Sequence, residues 1–533
     1  MSRPIPDAAF QEFVDAVGEA NVSRDPGILE TYTYMNGLAQ GASGTLWQTR
    51  PVCVILPSST EEVKKIVRIC GKHRLKFKAH STAWWMYALA TFPDCVILDM
   101  RRMKRLEINE RDMFAITESY ATAGETQVEA MKKGLTPHLV GAGPNASNLA
   151  SATSMQGTGG TSVRTSMNER NVLAVEWVTP TGEVLKLGSL NTPGAGWFCG
   201  DGPGPSLRGM MRGATGCNGA NGVFTRAALK LYPWYGPAYQ CGGSPPFFDS
   251  KEIPNSYLRY VVWDNRDNEV EALYRLGEAE IIDYNNRWAA GAFTSAMSTS
   301  NAEYLEMVAQ GEYKDRFGEG YWTFFMHPPS QRALEYRVKA FETIMQETHG
   351  EIIDPMIFGK RSYEIALQNA VRAIWIAKSA YMPTSANTGS LPMAYETVDQ
   401  CFKHALPISL DAKQEFASQD KILNDGRDNC YACIDEDAHY IHIEHACLVE
   451  MWEPKNEPMG AALKGMIGSL AKGIGPLYAS MPASFRDQVI YRKYIARIRH
   501  MLDPLRSAHS PEDTFMLLLP ETELGEPIPE EEK

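Results

Sequence analysis

Long apolar runs are missing from this sequence: nowhere do about eighteen hydrophobic residues follow one another, so no stretch reads as a membrane-spanning helix. The start of the chain also lacks the basic residues, apolar core and small-residue cleavage site of a secretory signal, and a cytoplasmic location is expected. Basic clusters are absent too. The formal net charge of −12 argues against a nucleic-acid partner, because phosphate binding is driven by grouped Lys and Arg. Cysteine is scarce. Ten in 533 residues are too few for a disulfide framework and predict reduced, buried thiols. Cys430 and Cys433 have CxxC spacing, but a four-cysteine zinc site needs a second such pair and the sequence has none. No repeat with a period of about twenty to fifty residues is visible, which excludes solenoids and propellers.

What remains is an ordinary globular composition, 44% hydrophobic and 22% charged, in a chain long enough for more than one domain. Val52 to Pro57 reads as a short strand. Ser58-Ser59-Thr60-Glu61-Glu62 then supplies an N-cap and acidic first turn, and Val63, Ile66, Val67 and Cys70 recur at helical spacing. Gly71 is expected to stop that helix, and Leu75 to Ala79 reads as the next strand, completing a β-α-β unit. Cys95 to Met100, Phe114 to Glu118 and Val172 to Thr179 read as further strands, Thr181-Gly182 closing the last with a turn. Alternating strands and helices indicate an α+β or α/β architecture. Farther on, Tyr321 to Phe325 predicts a strand and Ser330 to Thr348 an amphipathic helix. From Glu521 the chain is rich in Glu and Pro and is expected to be a solvated tail.

Three loops carry the chemistry. The first, Lys78-Ala79-His80-Ser81-Thr82-Ala83-Trp84, directly follows a strand, where successive amides and hydroxyls can cradle a pyrophosphate. The second lies in the segment from Gly141 to Gly160, twenty residues of Gly, Pro, Asn, Ser, Thr and Ala with almost no large apolar side chain. Such a segment survives inside a compact domain when it wraps a ligand. Pro144, Ser151, Ser154, Gly157, Thr158 and Gly160 are its candidate contacts, the glycines permitting close backbone approach. The third loop, Gly219-Ala220-Asn221-Gly222-Val223-Phe224-Thr225, leads into the strand Ala227 to Tyr232.

In order and spacing these loops resemble the FAD-binding domain shared by vanillyl-alcohol oxidase, p-cresol methylhydroxylase and the flavoprotein subunit of glycolate oxidase. The opening Leu56-Pro57-Ser58-Ser59-Thr60-Glu61-Glu62-Val63 is similar to that family's proline-ended strand and helix start. Its first phosphate loop falls on Ala79 to Trp84. Asn171 to Val178 with Thr181-Gly182-Glu183-Val184 looks like the strand before the third loop, Gly219 to Thr225 like its Gly-x-x-Gly-Val-x-Thr, and Leu502-Asp503-Pro504 like its closing Leu-Asp-Pro. The family's first loop is glycine-rich, whereas here Trp84 and Trp85 add aromatic bulk. His80-Ser81 is similar to the Gly-His-Ser of berberine-bridge-type oxidases, whose histidine holds the flavin covalently; the alternative is a histidine that only hydrogen-bonds a phosphate.

The resemblance implies an α+β chain with a two-subdomain FAD-binding domain at 46–235, preceded by an N-terminal helical segment at 1–45. A ferredoxin-like α+β cap follows at 236–490, then a return to the FAD domain at 491–520 and the tail at 521–533. FAD is the implied cofactor, held by Ala79, His80, Ser81, Thr82, Ala83, Trp84, Pro144, Ser151, Ser154, Gly157, Thr158, Gly160, Gly219, Gly222 and Val223. It also implies that substrate sits under the cap. Arg372 lies shortly before Tyr381-Met382-Pro383-Thr384-Ser385, which looks like a strand of the glycolate oxidase group with an upstream arginine facing substrate; a solvated helix face is the other reading of Arg372. Asp437 to His445 is the densest run of ligand-type side chains. As a strand it puts His442 and Glu444 on one face and His439 and His445 on the other. Two side chains on one face can act as the base beside the flavin or bind a divalent metal, and His442 is the candidate base, beside Arg372 and Glu444; the other reading of His442 is a partly buried histidine satisfied by its neighbours. The family's metal-binding glycine-histidine pattern is absent, and no metal is expected.

The expected reaction is FAD-dependent oxidation of a hydroxylated small molecule, a 2-hydroxy acid, by hydride transfer to flavin N5, with electrons passing to a partner protein such as an iron–sulfur protein or an electron-transfer flavoprotein. An alternative is oxidation of a phenolic or other aromatic alcohol, since Gly200-Asp201-Gly202-Pro203-Gly204-Pro205 resembles that branch. A third is an electron-relay subunit in which Cys430, Cys433 and Cys447 touch an iron–sulfur partner. The chain is expected to act as a homo-oligomer or a subunit of a complex.

Overall fold

The computed structural model describes residues 4–33, 49–83, 89–90, 92, 94–141, 143–154, 157–197, 207, 221–238, 242–244, 247–372, 386–395, 397–422, 431–450, 457–474, 478–479, 498 and 500–508. Trp84, Gly219, the loop 200–205, the segment 381–385, Cys430 and the tail from Glu521 lie outside these residues.

The chain opens with α1 (Asp7–Val17), β1 (Val22–Ser23), α2 (Pro26–Glu30) and β2 (Cys53–Ile55), followed by α3 (Thr60–His73), β3 (Lys76–His80) and β4 (Cys95–Asp99). These strands form a four-stranded sheet in the order β1-β2-β4-β3, with β2 and β3 both parallel to β4. The apolar face of α3 explains the layer: Val63, Ile66, Val67 and Cys70 are buried against Val52, Cys53, Ile55, Phe77, Val96 and Leu98. Ser59 caps the helix through the Glu62 N–H at 3.2 Å. Gly71 does not stop it. The helix runs on to His73 because Lys72 and His73 both reach Glu12 of α1, at 2.7 and 3.0 Å, and Arg74 takes the left-handed turn at φ 53°.

The second sheet is antiparallel. Strands β5 (Leu106–Asn109), β6 (Phe114–Glu118), β8 (Val172–Val178), β9 (Val184–Leu187) and β10 (Val223–Pro233) lie in the order β5-β6-β10-β8-β9, and β7 (Leu135–Pro137) pairs with β10. Its helices are α4 (Ala123–Met131), α5 (Asn148–Thr153) and α6 (Ser162–Thr165). The composition of 141–160 predicts loop, but Ser147 accepts from the Ala150 N–H at 3.0 Å and caps α5, in which Leu149, Ala150 and Ala152 are good helix formers. Near the far end of the chain, Asp503 Oδ2 accepts from the Ala508 N–H, and Ser507 accepts from the Phe77 N–H, each at 2.8 Å. Phe77 and Ala508 form a parallel bridge, so residues 503–508 extend the first sheet beyond β3.

After the small hairpin β11 (Gly242–Ser244) and β12 (Phe247–Asp249) comes an eight-stranded antiparallel sheet. Its strands are β13 (Tyr257–Val262), β14 (Tyr284–Trp288), β15 (Tyr321–Met326), β16 (Glu351–Ile353), β17 (Ala386–Tyr395), β18 (Tyr431–Asp435), β19 (Tyr440–Glu450) and β20 (Tyr478–Ala479). The order β16-β13-β15-β14-β18-β19-β17-β20 has a simple meaning. Strands β13 to β16 and strands β17 to β20 each make a β-α-β-β-α-β unit of ferredoxin-like order, and the units join edge to edge between β14 and β18. One face of both units is covered by helices Arg266–Glu278, Gln331–Glu347, Leu406–Ser418 and Pro458–Ala471, through a shared core including Leu273, Phe324, Phe341, Leu410, Ile441, Ile443 and Met466. On the other face, the helices Ala290–Met297 and Lys360–Arg372 cover the first unit, with Phe293, Tyr260, Phe325 and Leu367 between them.

No helix among the described residues is long and apolar enough to cross a membrane. Among the described residues, Cys53, Cys70, Cys95, Cys401, Cys433 and Cys447 are buried and outside any disulfide. Cys433 and Cys447 lie on opposite faces of the cap sheet: Cys433 packs with Tyr431 and Trp288, Cys447 with Phe416 and Ala461. The two thiols therefore face different sides of the sheet and cannot meet one partner surface together.

Candidate active site

The first two candidate loops meet. The first leaves the C-terminal end of β3 with Ala79, Ser81, Thr82 and Ala83 half-buried. Ala83 has φ 53°, a left-handed turn in which consecutive N–H groups face the same way. Thr82 Oγ1 accepts from the Ser147 N–H at 3.0 Å and so fastens the first loop to the second. His80 stands edge-on to Tyr32, ring centres 5.3 Å apart, and Tyr32 donates to Asp99 at 2.6 Å. Burial lowers the His80 pKa to about 4, and its Nδ1 is buried with no hydrogen-bond partner. A neutral imidazole with an open nitrogen at a strand end fits a polar cofactor atom.

In the second loop the glycines do something other than expected. A Cβ at Gly157 would stand 2.4 Å from Asn168 Cβ, one at Gly159 1.9 Å from the Leu139 carbonyl, and one at Gly160 2.1 Å from Tyr284 Cε2. They permit close approach of protein to protein, folding the loop onto itself and onto β14, rather than leaving backbone bare to a ligand. Pro144 accepts from the Gly124 N–H at 2.8 Å and seats α4. Ser151 and Thr158 are buried, Ser151 bonded to Asn148 and Asn168, while Ser154 is half-exposed. In the third loop Gly222 has φ 108° and its Cβ would meet the Val178 carbonyl at 2.3 Å. Val223 is a core residue at 1% exposure, so only its backbone can face a ligand. Among the described residues, the polar groups that these loops leave for a ligand are the half-exposed hydroxyls of Ser81, Thr82 and Ser154, the Ala83 turn and the His80 Nδ1 that has no protein partner.

Beside these loops, His138 bonds Thr165 Oγ1 through Nδ1 at 2.8 Å, and burial lowers its pKa to about 4. Between that value and 6.5 the unfolded chain carries a proton that the folded one does not, so stability is full above the ordinary histidine range and declines as pH falls towards 4. The loss from His138 alone is about 3 kcal/mol. His138→Gln should flatten the dependence of the urea midpoint on pH across that interval, leaving the part due to His80. An unchanged slope would refute this.

The cap contributes the opposite wall. His442 lies on β19, opposite Cys433 of β18, and Tyr431 lies opposite Glu444. Since cross-strand partners share a face, Tyr431, Cys433, Asp435, Tyr440, His442 and Glu444 all project from the face not covered by the cap's own helices. His442 is 2% exposed, its Nε2 3.4 Å from Glu444 Oε1 and its ring 5.8 Å from that of Tyr431. Trp288 packs on Tyr431 at 5.1 Å, and the Tyr431 hydroxyl lies 3.1 Å from where a Gly141 Cβ would be, so this face abuts the second loop. His439 is not on the strand. It follows three left-handed residues, Glu436, Asp437 and Ala438, in the β18–β19 turn. Arg372 ends the helix Lys360–Arg372 half-buried, and the preceding Val371 carbonyl accepts from Gln127 of α4, at the boundary between the cap and the first half.

Burial pushes both the Cys433 thiol and the Asp435 carboxyl well above their ordinary pKa ranges, disfavouring their charged forms. Among the described residues no three His, Cys, Asp or Glu side chains converge as a metal site. Trp288, Tyr431, Asn285 and Asn286 escaped the sequence reading. A signal existed: Tyr284-Asn285-Asn286-Arg287-Trp288 puts two asparagines in the middle of a strand, where asparagine is depleted.

Residues 51–188 match the family described as FAD binding domain. That stretch is an FAD-binding domain, FAD is its cofactor, and the fold of the whole chain is one shared with the solved structures that follow. Among solved structures the chain is similar to p-cresol methylhydroxylase with substrate bound, at 15% identity over 95% of this chain and 97% of that one, TM-score 0.70. It is likewise similar to 4-ethylphenol oxidase from Gulosibacter chungangensis in complex with isoeugenol, at 17% identity over 94% and 95%, TM-score 0.68. Alkyldihydroxyacetonephosphate synthase follows at 14% identity over 95% and 85%, TM-score 0.64. No curated protein matches the sequence.

Proposed function

We propose that this chain oxidises a hydroxylated aromatic molecule, with FAD held by the half-exposed part of the first loop, Ser154 and the backbone around Gly222. FAD supplies, when bound, a two-electron acceptor for a C–H bond. The protein's own work is to orient the substrate, exclude water and hold its proton. The observation that carries this reading is the buried His442–Glu444 pair on the cap face that abuts the second loop, bordered by the rings of Trp288 and Tyr431. His442 takes the hydroxyl proton, Glu444 stabilises the resulting imidazolium, and the aromatic rings give a flat substrate a surface to stack on. Two neighbours in fold are, by name, a p-cresol methylhydroxylase and a 4-ethylphenol oxidase, which favours the phenolic alternative over the 2-hydroxy acid.

Arg372 supports the 2-hydroxy acid as a second reading, since a guanidinium at the same boundary suits a carboxylate. Anaerobic mixing of the FAD-loaded protein with 4-hydroxybenzyl alcohol or with mandelate separates them. Loss of flavin colour with the phenol alone supports the leading reading, and loss with mandelate alone replaces it. Retained colour with both, but loss with a reduced protein partner, would make the chain an electron relay. Oxygen uptake during turnover then tells an oxidase from a dehydrogenase that passes electrons to a partner protein.

A further inference from the structure

The two cap units meet at a joint that backbone pairing hardly closes. Strands β14 and β18 share one register pair, Arg287 with Ala432. Two residues along, the amide of the fully buried Asn285 does what a peptide group would do. Its Oδ1 accepts from the Ile434 N–H at 2.9 Å, and its Nδ2 donates to the Ile434 carbonyl at 3.1 Å. The same Nδ2 lies 3.3 Å from the Gly160 carbonyl, which also accepts from the Asn285 N–H at 2.9 Å. One residue therefore ties together β14, β18 and the last glycine of the second loop. Ile434 is adjacent to Cys433, the cross-strand partner of His442.

A second clamp lies at the β18–β19 turn. The Glu436 and Asp437 N–H groups donate to the Ser162 and Val163 carbonyls of α6, each at 3.0 Å, and the Glu436 carboxylate receives both the Ser166 hydroxyl and the Arg170 guanidinium. Glu436, Asp437 and Ala438 have φ of 47°, 54° and 67°. Three successive non-glycine residues in that region persist only where the surroundings over-determine them, and here the surroundings are the segment that follows Gly160.

We infer that Asn285 is a positioning residue, locking the loop that ends at Gly160 to the strand pair carrying His442 and Glu444, so that cofactor binding and placement of the base are set by one joint. This rests on the FAD-dependent reading above. Asn285→Asp keeps the size and can still accept from Ile434, but a carboxylate cannot donate and would face two carbonyl oxygens. Its FAD affinity, read by quenching of flavin fluorescence, should fall about tenfold or more. Its rate of flavin reduction at saturating FAD and substrate should fall about tenfold to a hundredfold, with little change in KM. Arg170→Met, which loosens only the second clamp at a half-exposed site, should lower FAD affinity severalfold in the same direction. The apoprotein melting temperature is measured alongside. A folded Asn285→Asp apoprotein with native FAD affinity and reduction rate would reduce Asn285 to a structural role and overturn the proposal. If that variant does not fold, native affinity and rate in Arg170→Met overturn it instead. Native protein that takes up no FAD would overturn the FAD reading itself, an outcome visible before any variant is made.

Discussion

A His442→Gln variant is expected to retain FAD and to have its flavin reduced by substrate roughly a hundred- to ten-thousandfold more slowly than the native protein. The side chain is placed for a proton and for little else. It is buried at 2% exposure, on a strand face that its own helices leave uncovered, with a carboxylate at 3.4 Å to stabilise its charged form. Glutamine fills a similar volume and hydrogen-bonds but cannot carry the proton, so folding and FAD content should survive while kcat falls. Glu444→Gln removes the countercharge only, and its loss should be smaller and in the same direction. Stopped-flow absorbance under anaerobic conditions measures both. A His442→Gln rate within a few-fold of native would remove the histidine from the chemistry.

Gly159→Ala should be the most damaging single methyl group in the FAD-binding half. The new Cβ would lie 1.9 Å from the Leu139 carbonyl and 2.8 Å from the Gly141 nitrogen, both backbone atoms that no rotamer change can move aside. The loop must open to admit it, and overpacking of this severity costs about 3 kcal/mol or more. Flavin content should fall with stability, because the same loop carries Gly160 to Asn285. Gly71→Ala is the useful contrast. Gly71 sits inside α3 with its nearest neighbour at 3.8 Å, and alanine there should stabilise by about 0.5–1 kcal/mol. Thermal denaturation of the two variants, with flavin absorbance of the purified proteins, checks both. A Gly159→Ala protein that melts at the native temperature would contradict the close contact.

Local elements were legible where side-chain pattern and turn chemistry agreed. Val63, Ile66, Val67 and Cys70 announced α3, Phe114 to Glu118 announced a strand, and the amphipathic pattern from Ser330 to Thr348 announced the helix Gln331–Glu347. The ends set by tertiary contacts were not. Glu12 carried α3 past Gly71, and Ser147 created a helix in a stretch that composition described as loop. In the site, the alternation of His442 and Glu444 predicted their shared face correctly, since a strand has period two wherever it lies. What that face would meet depended on an eight-stranded order whose two units join at Arg287 and Ala432, far apart in sequence, and no local pattern encodes it. The glycines of 157–160 read as giving a ligand close approach to the backbone, whereas the groups that approach them are Asn168, the Leu139 carbonyl and Tyr284, contacts that no local pattern encodes.

The bridge between Phe77 and Ala508 has a bearing on biosynthesis. Lys76 and Arg506, beside it, are 430 residues apart, so β3 emerges from the ribosome long before the segment that covers its edge exists. Until then the nascent chain presents bare strand N–H and C=O groups, an invitation to pair with another molecule. Closing so long a loop comes late and slowly, and during that interval a chaperone has the most to protect.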